Sequence, residues 1–134
     1  MADTLELEIV TPERQLVKGR AEQVQIPGRG GYLGILPGHA PLITELAVGE
    51  ITYTNAGTTT KLAVAWGFAE VLPEKVTILA EAAELAEDID VPRAEAARER
   101  AHERLKSAEN GEDYEEAALA LARAEARLGV AKNQ

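Results

Sequence analysis

Apolar and polar positions alternate through the first two thirds of the chain and then change period. Leu5-Glu6-Leu7-Glu8-Ile9 alternates one for one, as a strand with one buried face does. Thr11-Pro12-Glu13-Arg14 reads as a turn. A second strand over 22–26 is closed by Pro27-Gly28-Arg29-Gly30-Gly31. A short apolar run over 32–36 ends at Pro37-Gly38-His39-Ala40-Pro41. Strands over 51–54 and 61–66 flank Asn55-Ala56-Gly57, and strands over 68–72 and 75–79 flank Pro73-Glu74, which predicts two hairpins. Short strands recurring roughly every 8–12 residues, with turn residues between them, predict a small antiparallel sandwich or flattened barrel.

From Asp90 the spacing becomes helical. Asp90 is a good N-cap, and Pro92 falls in the first turn, where its missing N–H costs nothing. Ala94, Ala97, Ala101, Leu105 and Ala108 form one stripe, which Asn110-Gly111 ends. Asp113 is the expected cap of a second helix, whose stripe is Ala117, Leu121, Ala124 and Leu128. Two helices of roughly 16–18 residues joined by a short loop make an antiparallel hairpin. Its seam is mostly alanine and buries little, so contacts outside the hairpin must help to hold it. The division expected from these patterns is 1–86 for the β domain and 87–134 for the helical one.

Composition narrows the class. The 134 residues carry a net charge of −9, and residues on both sides of the strand-to-helix change contribute to it. So acidic a chain has no general positive field for nucleic acid or anionic lipid, and any anion site must be built locally from arginines. There is no cysteine, hence no disulfide and no thiolate metal site. No apolar run approaches the ~20 residues of a membrane span, and the N-terminus lacks a signal-peptide pattern, so the expectation is a cytosolic protein or one peripheral to a cytosolic membrane face.

Candidate chemistry is confined to the helices. Arg93 and Arg100 are seven apart on one face of the first helix, and Arg123 and Arg127 are four apart on one face of the second. In an antiparallel hairpin both pairs can face one cleft. Two readings stand: solvated partners of Glu95, Glu99, Glu103 and Glu125, or a polyphosphate site, since the guanidinium fork suits phosphate oxygens. Gly28-Arg29-Gly30-Gly31 lacks the lysine, serine and following helix of a phosphate loop and reads as a turn. His39 reads as a loop-ordering side chain, His102 as solvated, and Trp66-Gly67-Phe68 as core packing at a strand bend. No nucleophile elbow, metal cluster or acid–base pair argues for an active site.

Gly34-Ile35-Leu36-Pro37-Gly38-His39-Ala40-Pro41-Leu42 resembles the signature loop of the epsilon subunit of bacterial F-type ATP synthases. Ile9-Val10-Thr11-Pro12, Trp66-Gly67-Phe68-Ala69-Glu70-Val71 and Val76-Thr77-Ile78-Leu79-Ala80 resemble that family too, in the right order along the whole chain. The resemblance implies a ten-stranded antiparallel β-sandwich followed by a two-helix hairpin. It implies a non-catalytic rotor subunit whose sandwich binds the gamma subunit and the c-subunit ring. Extended, the hairpin reaches the alpha/beta catalytic head and inhibits ATP hydrolysis; folded down, it permits turnover. In several bacterial members ATP favours the folded-down form through an I/L-D-x-x-R-A motif, which Ile89-Asp90-Val91-Pro92-Arg93-Ala94 matches.

The residues so implied for ATP are Glu84, Ile89, Asp90, Arg93, Ala94, Arg100, Arg123 and Arg127, with ATP as a regulatory ligand and no metal required. Contact with the c ring or gamma falls to Arg29, Gly30, Gly31, Tyr32 and His39, Tyr32 standing where many relatives carry glutamate. The implied setting is the cytoplasmic face of a bacterial inner membrane, peripheral, with no direct membrane insertion and no nucleic acid. The alternative is the same rotor subunit without ATP sensing, its motif serving only as a helix cap and a salt-bridged surface.

Overall fold

The computed structural model describes residues 3–132, which hold eight strands: β1 Leu5–Val10, β2 Gln15–Ala21, β3 Gln23–Gly28, β4 Gly31–Ile35, β5 Leu42–Leu46, β6 Gly49–Asn55, β7 Thr58–Val71 and β8 Lys75–Leu85. A 3₁₀ turn at Ala86–Asp88 leads into two helices, α1 Val91–Ser107 and α2 Gly111–Lys132. The strands follow the order β2-β1-β8-β7-β5-β3-β4, with β6 bridging β3 and β7. That bridge closes β7, β5, β3 and β6 into a ring, so the sandwich is barrel-like at one side.

The ten strands implied by resemblance are eight here, and they are not all antiparallel. β7 runs fourteen residues without a break, pairing with β6 from Thr58 to Val64 and with β5 from Gly67 to Val71. One long strand thus serves where the sequence pattern suggested two. The bend between its halves is local: Trp66 and Gly67 both have positive φ, and the ladder with β8 leaves out Trp66 between Ala65↔Ala82 and Gly67↔Ala80 while keeping its register. Only glycine fits at 67, since a Cβ there would lie 2.1 Å from the Leu79 carbonyl oxygen. The exception to antiparallel pairing is β1 against β8, parallel from Glu6↔Lys75 to Val10↔Leu79. No tight turn joins these two strands, so nothing forces the hairpin sense on them.

Two strands escaped the periodicity. β2 is an edge strand, largely exposed and carrying Lys18, Gly19 and Arg20. β5 turns Ile43 outward, which hides its buried alternation. The core is built from the inward positions that alternation does mark: Leu5, Leu7, Ile9, Ile26, Ile51, Leu62, Val76 and Ile78 are almost wholly buried. Trp66-Gly67-Phe68 is a bend, but Phe68 faces outward at 53% exposure and does not pack in the core.

The helices form the expected hairpin, with two corrections. α1 has 17 residues and α2 has 22, so α2 is about 33 Å long. Its cap is Asn110, whose Oδ1 accepts from the Asp113 N–H at 2.8 Å; Asp113 sits inside the first turn and does not cap it. Ala94, Ala101, Ala117, Ala124 and Leu128 are buried, and the small side chains let the two helices approach closely.

The hairpin lies against the sandwich, with α2 over β7 and β6. Ala63, Ile89 and Val130 form a second apolar cluster, edged by Ala86, Ala126 and Ala131. It is small, so the seat of α2 on the sandwich contributes far less than the core does.

Candidate functional site

A hollow of about 280 Å³ opens between α1 and α2. Its walls are Arg93, Ala97, Arg100, Ala101 and Arg104 from α1, and Ala120, Arg123 and Arg127 from α2. Helix geometry explains the set: offsets of 4, 7, 8 and 11 from Arg93 keep to one face, as do offsets of 3 and 7 from Ala120. The alanines between the arginines leave the space that larger side chains would fill.

Two of the five guanidinium groups are paired. Arg127 Nε donates to Glu84 Oε1 at 2.5 Å, which ties α2 to β8. Arg104 reaches Glu116 Oε2 at 3.5 Å across the hairpin. Arg93, Arg100 and Arg123 have no side-chain hydrogen bond or ion pair among the described residues. Three guanidinium groups are therefore left without an ion pair at one spot on a chain of net charge −9. That is the chemistry of a polyanion site, because guanidinium forks bind phosphate oxygens strongly and bidentately.

The other residues nominated from sequence are placed elsewhere. Ile89 is buried in the apolar cluster beneath α2. Asp90 caps α1, its Oδ1 accepting from the Arg93 N–H at 3.1 Å. Ala94 is buried in the hairpin. Glu84 adjoins the hollow through Arg127 and lines a cleft of about 30 Å³ between α2 and strands β7 and β8. Such a cleft holds one or two waters and no base or sugar. Sequence reasoning missed Arg104, although its spacing of four from Arg100 and eleven from Arg93 marked it.

The turn and loop nominated for rotor contact are ordered by their own bonds. Arg29 pairs with Glu45 at 2.5 Å and donates its N–H to the Glu45 carbonyl. Gly30 and Gly31 complete that exposed turn. The Tyr32 hydroxyl accepts from the Glu50 N–H at 3.0 Å. His39 keeps its Nδ1 2.7 Å from the Ala40 carbonyl, as a loop-ordering histidine does, and its loop is tied to the β7–β8 turn by the Gly38 N–H donating to the Pro73 carbonyl. Beside these lies an apolar stripe that the sequence did not announce. Phe68 and Leu79 are direct cross-strand partners on the outer face, and Ile43 lies diagonally from Phe68. All three are more than half exposed.

Comparison with known families gives this arrangement a place. The model described as ATP synthase, Delta/Epsilon chain, beta-sandwich domain matches residues 4–86. Its companion, ATP synthase, Delta/Epsilon chain, long alpha-helix domain, matches residues 87–132. The chain belongs to the ATP synthase delta/epsilon family.

Within that family it sides with the epsilon chains. It is 69% identical over 107 residues to the ATP synthase epsilon chain of Koribacter versatilis, covering 80% of this chain and 75% of that one. It is 50% identical to the epsilon chain of Solibacter usitatus over 98% of both chains. The epsilon chain of Desulfitobacterium hafniense matches at 50% over 99% of this chain and 100% of its own. Among solved structures, a chain of the Euglena gracilis mitochondrial ATP synthase, in an OSCP/F1/c-ring assembly in rotational state 1, superposes with a TM-score of 0.84. It covers 98% of this chain and 83% of that one at 22% identity, which is a likeness of fold. No described helix is long and apolar enough to cross a membrane.

Proposed function

We propose that this epsilon chain is a non-catalytic central-stalk subunit that joins gamma to the c ring and restrains ATP hydrolysis through its helical arm, with ATP favouring the arm as seen here, folded against the sandwich. The observation that carries the nucleotide half is the arginine hollow: three unpaired guanidinium groups converge between two helices whose own seam is thin. Without an anion, their mutual repulsion opposes the closed hairpin. A triphosphate between them turns that repulsion into attraction on both helices at once. ATP shifts the arm only by as much as it prefers the docked state, and the stabilisation is RT ln(1 + [ATP]/Kd), or about 2.7 kcal/mol at a hundredfold excess over Kd.

The hollow suits the phosphates and not the whole nucleotide. It is slightly smaller than the roughly 300–1,000 Å³ of pockets that enclose a small ligand. The base would therefore extend past the arginines toward Glu84, where the cleft must widen to receive it. No metal is needed to bring a triphosphate to five arginines. The alternative, a rotor subunit without ATP sensing, draws support from Ile89, Asp90 and Ala94, each of which has a structural task in the docked chain.

The rotor half rests on the sandwich surface. We assign the Ile43–Phe68–Leu79 stripe to gamma, because a contiguous apolar face rimmed by charge is what a subunit interface covers. The exposed turn at Arg29, Gly30, Gly31 and Tyr32, with the His39 loop, is the proposed c-ring contact. The setting is peripheral, on the cytoplasmic face of the membrane that holds the ring. Calorimetric titration of the isolated chain with ATP and ADP tests the nucleotide claim. Selective ATP binding that Arg100→Ala abolishes supports it; no heat up to millimolar ATP refutes it and leaves the rotor role alone.

A further inference from the structure

Glu50, the second residue of β6, lies below α2, and one of its two carboxylate oxygens is badly placed for a charged group. Oε1 is sealed from solvent and has no hydrogen-bond partner. What covers it is α2: a Cβ built on Gly129 would lie 3.6 Å from this oxygen. A carboxylate oxygen stripped of water and left unpaired opposes whatever contact buries it. Here that contact is the docking of the arm.

Glu50 is held in this position from the other side. Its N–H donates to the Tyr32 hydroxyl at 3.0 Å. Gly49, just before it, packs so tightly on Tyr32 and Pro27 that a Cβ there would lie 2.6 Å from the Tyr32 hydroxyl and 2.8 Å from Pro27 Cβ. Tyr32 is the second residue of β4, just past the exposed Arg29-Gly30 turn. An unbroken path of contacts thus runs from that turn, through the Gly49–Glu50 peptide, to the underside of α2.

We propose that Tyr32 and Glu50 form a release spring for the arm: Tyr32 pins the start of β6, and the pinned Glu50 carboxylate makes docking of α2 less favourable than its apolar contacts alone would make it. The exposed turn and the arm are then coupled, since anything that pulls the Tyr32 hydroxyl from Glu50 lets Oε1 reach water and tightens docking. This rests on the reading above that the arm undocks as a unit. The spring gives ATP something to overcome, and it links arm position to whatever touches the turn.

The test uses the full chain with one reporter thiol, which the absence of cysteine permits. Ala65→Cys places it on β7 at the cleft beneath α2, a site that is buried while the arm is docked. The rate of labelling by a thiol reagent then reads rare openings. Glu50→Met, which keeps the length and removes the charge, is expected to slow labelling about fivefold or more, the low end for an unsatisfied buried group. Tyr32→Phe is expected to slow it as well, and the double variant to match Glu50→Met alone. Glu50→Gln serves as a second removal of charge should the methionine variant not fold. Unchanged or faster labelling in Glu50→Met or Tyr32→Phe overturns the spring, and so do additive effects. If labelling in every variant follows global unfolding, with the same denaturant dependence, the arm does not open separately and the underlying reading fails as well.

Discussion

Val130→Ala separates docking of the arm from the binding of nucleotide. Val130 is wholly buried near the end of α2, packed with Ala63 and Ile89 and absent from the walls of the arginine hollow. The change removes two buried carbons, about 1.6 kcal/mol at ~0.8 per methylene, before any cavity term. Because Val130 packs with Ala63 and Ile89 and is not part of the sandwich core, the loss falls on the seat of the arm. The ratio of docked to undocked arm should fall about 15-fold. If ATP binds the docked form alone, its apparent Kd rises by the undocked share, up to the same factor, although no arginine has been touched. The assay is a distance measurement between sandwich and arm together with calorimetry, with the melting of the sandwich as control. A weakened arm with unchanged ATP affinity would show that binding and docking are not linked. An unchanged arm would show that the Ile89–Val130 cluster is not its seat.

Further outcomes follow from the same geometry. Arg123→Ala, which removes one unpaired guanidinium from the hollow, should weaken ATP at least tenfold in calorimetry, given about 1.5–3 kcal/mol for a charge-assisted bond. Glu84→Gln breaks the tie to Arg127, and because both side chains are more than a third exposed the cost to docking should stay within ~1 kcal/mol and shrink in high salt, read by the same distance measurement. Gly67→Ala should lower the melting temperature sharply, by at least the ~1–3 kcal/mol of an overpacked site, because the new Cβ meets backbone at a positive φ. Phe68→Asp should leave melting nearly unchanged, since the ring is more than half exposed, while abolishing co-purification with gamma.

The sequence made the helices more legible than the sheet. Capping residues placed the start of α1, because Asp90 and Pro92 both act locally, while its end lies at Ser107, ahead of the Asn110-Gly111 expected to stop it, and that pair begins α2 instead. The start of α2 was misplaced because Asn110 and Asp113 are both competent caps, and only the backbone path decides between them. Strands with one buried face declared themselves through alternation, as at Leu5, Leu7 and Ile9. β2 and β5 did not, since an edge strand and a strand with an outward isoleucine lose the contrast that alternation needs. The parallel pairing of β1 with β8 is a long-range contact that no local pattern carries.

The arginine face was readable from helical spacing, and Arg104 with it. What spacing could not supply was the partner of each charge. Glu84 lies 43 positions from Arg127, and their ion pair depends on how the arm sits on the sandwich. The motif residues Ile89, Asp90 and Ala94 mark the same limit: the fold gives them an apolar seat, a cap and a helix contact, and of these only the cap was legible in their order along the chain.

The central claim is that ATP holds the arm against the sandwich, and a distance titration tests it most directly. Spin labels introduced by Thr59→Cys at the start of β7 and Glu109→Cys at the tip of the hairpin both sit at exposed positions of an otherwise cysteine-free chain. With rising ATP the distance distribution should narrow to a single docked value, with the midpoint that calorimetry gives, and ADP should do so only at higher concentration. A distribution that ignores ATP while calorimetry records binding would contradict the account, because the nucleotide would then occupy the chain without choosing between its states.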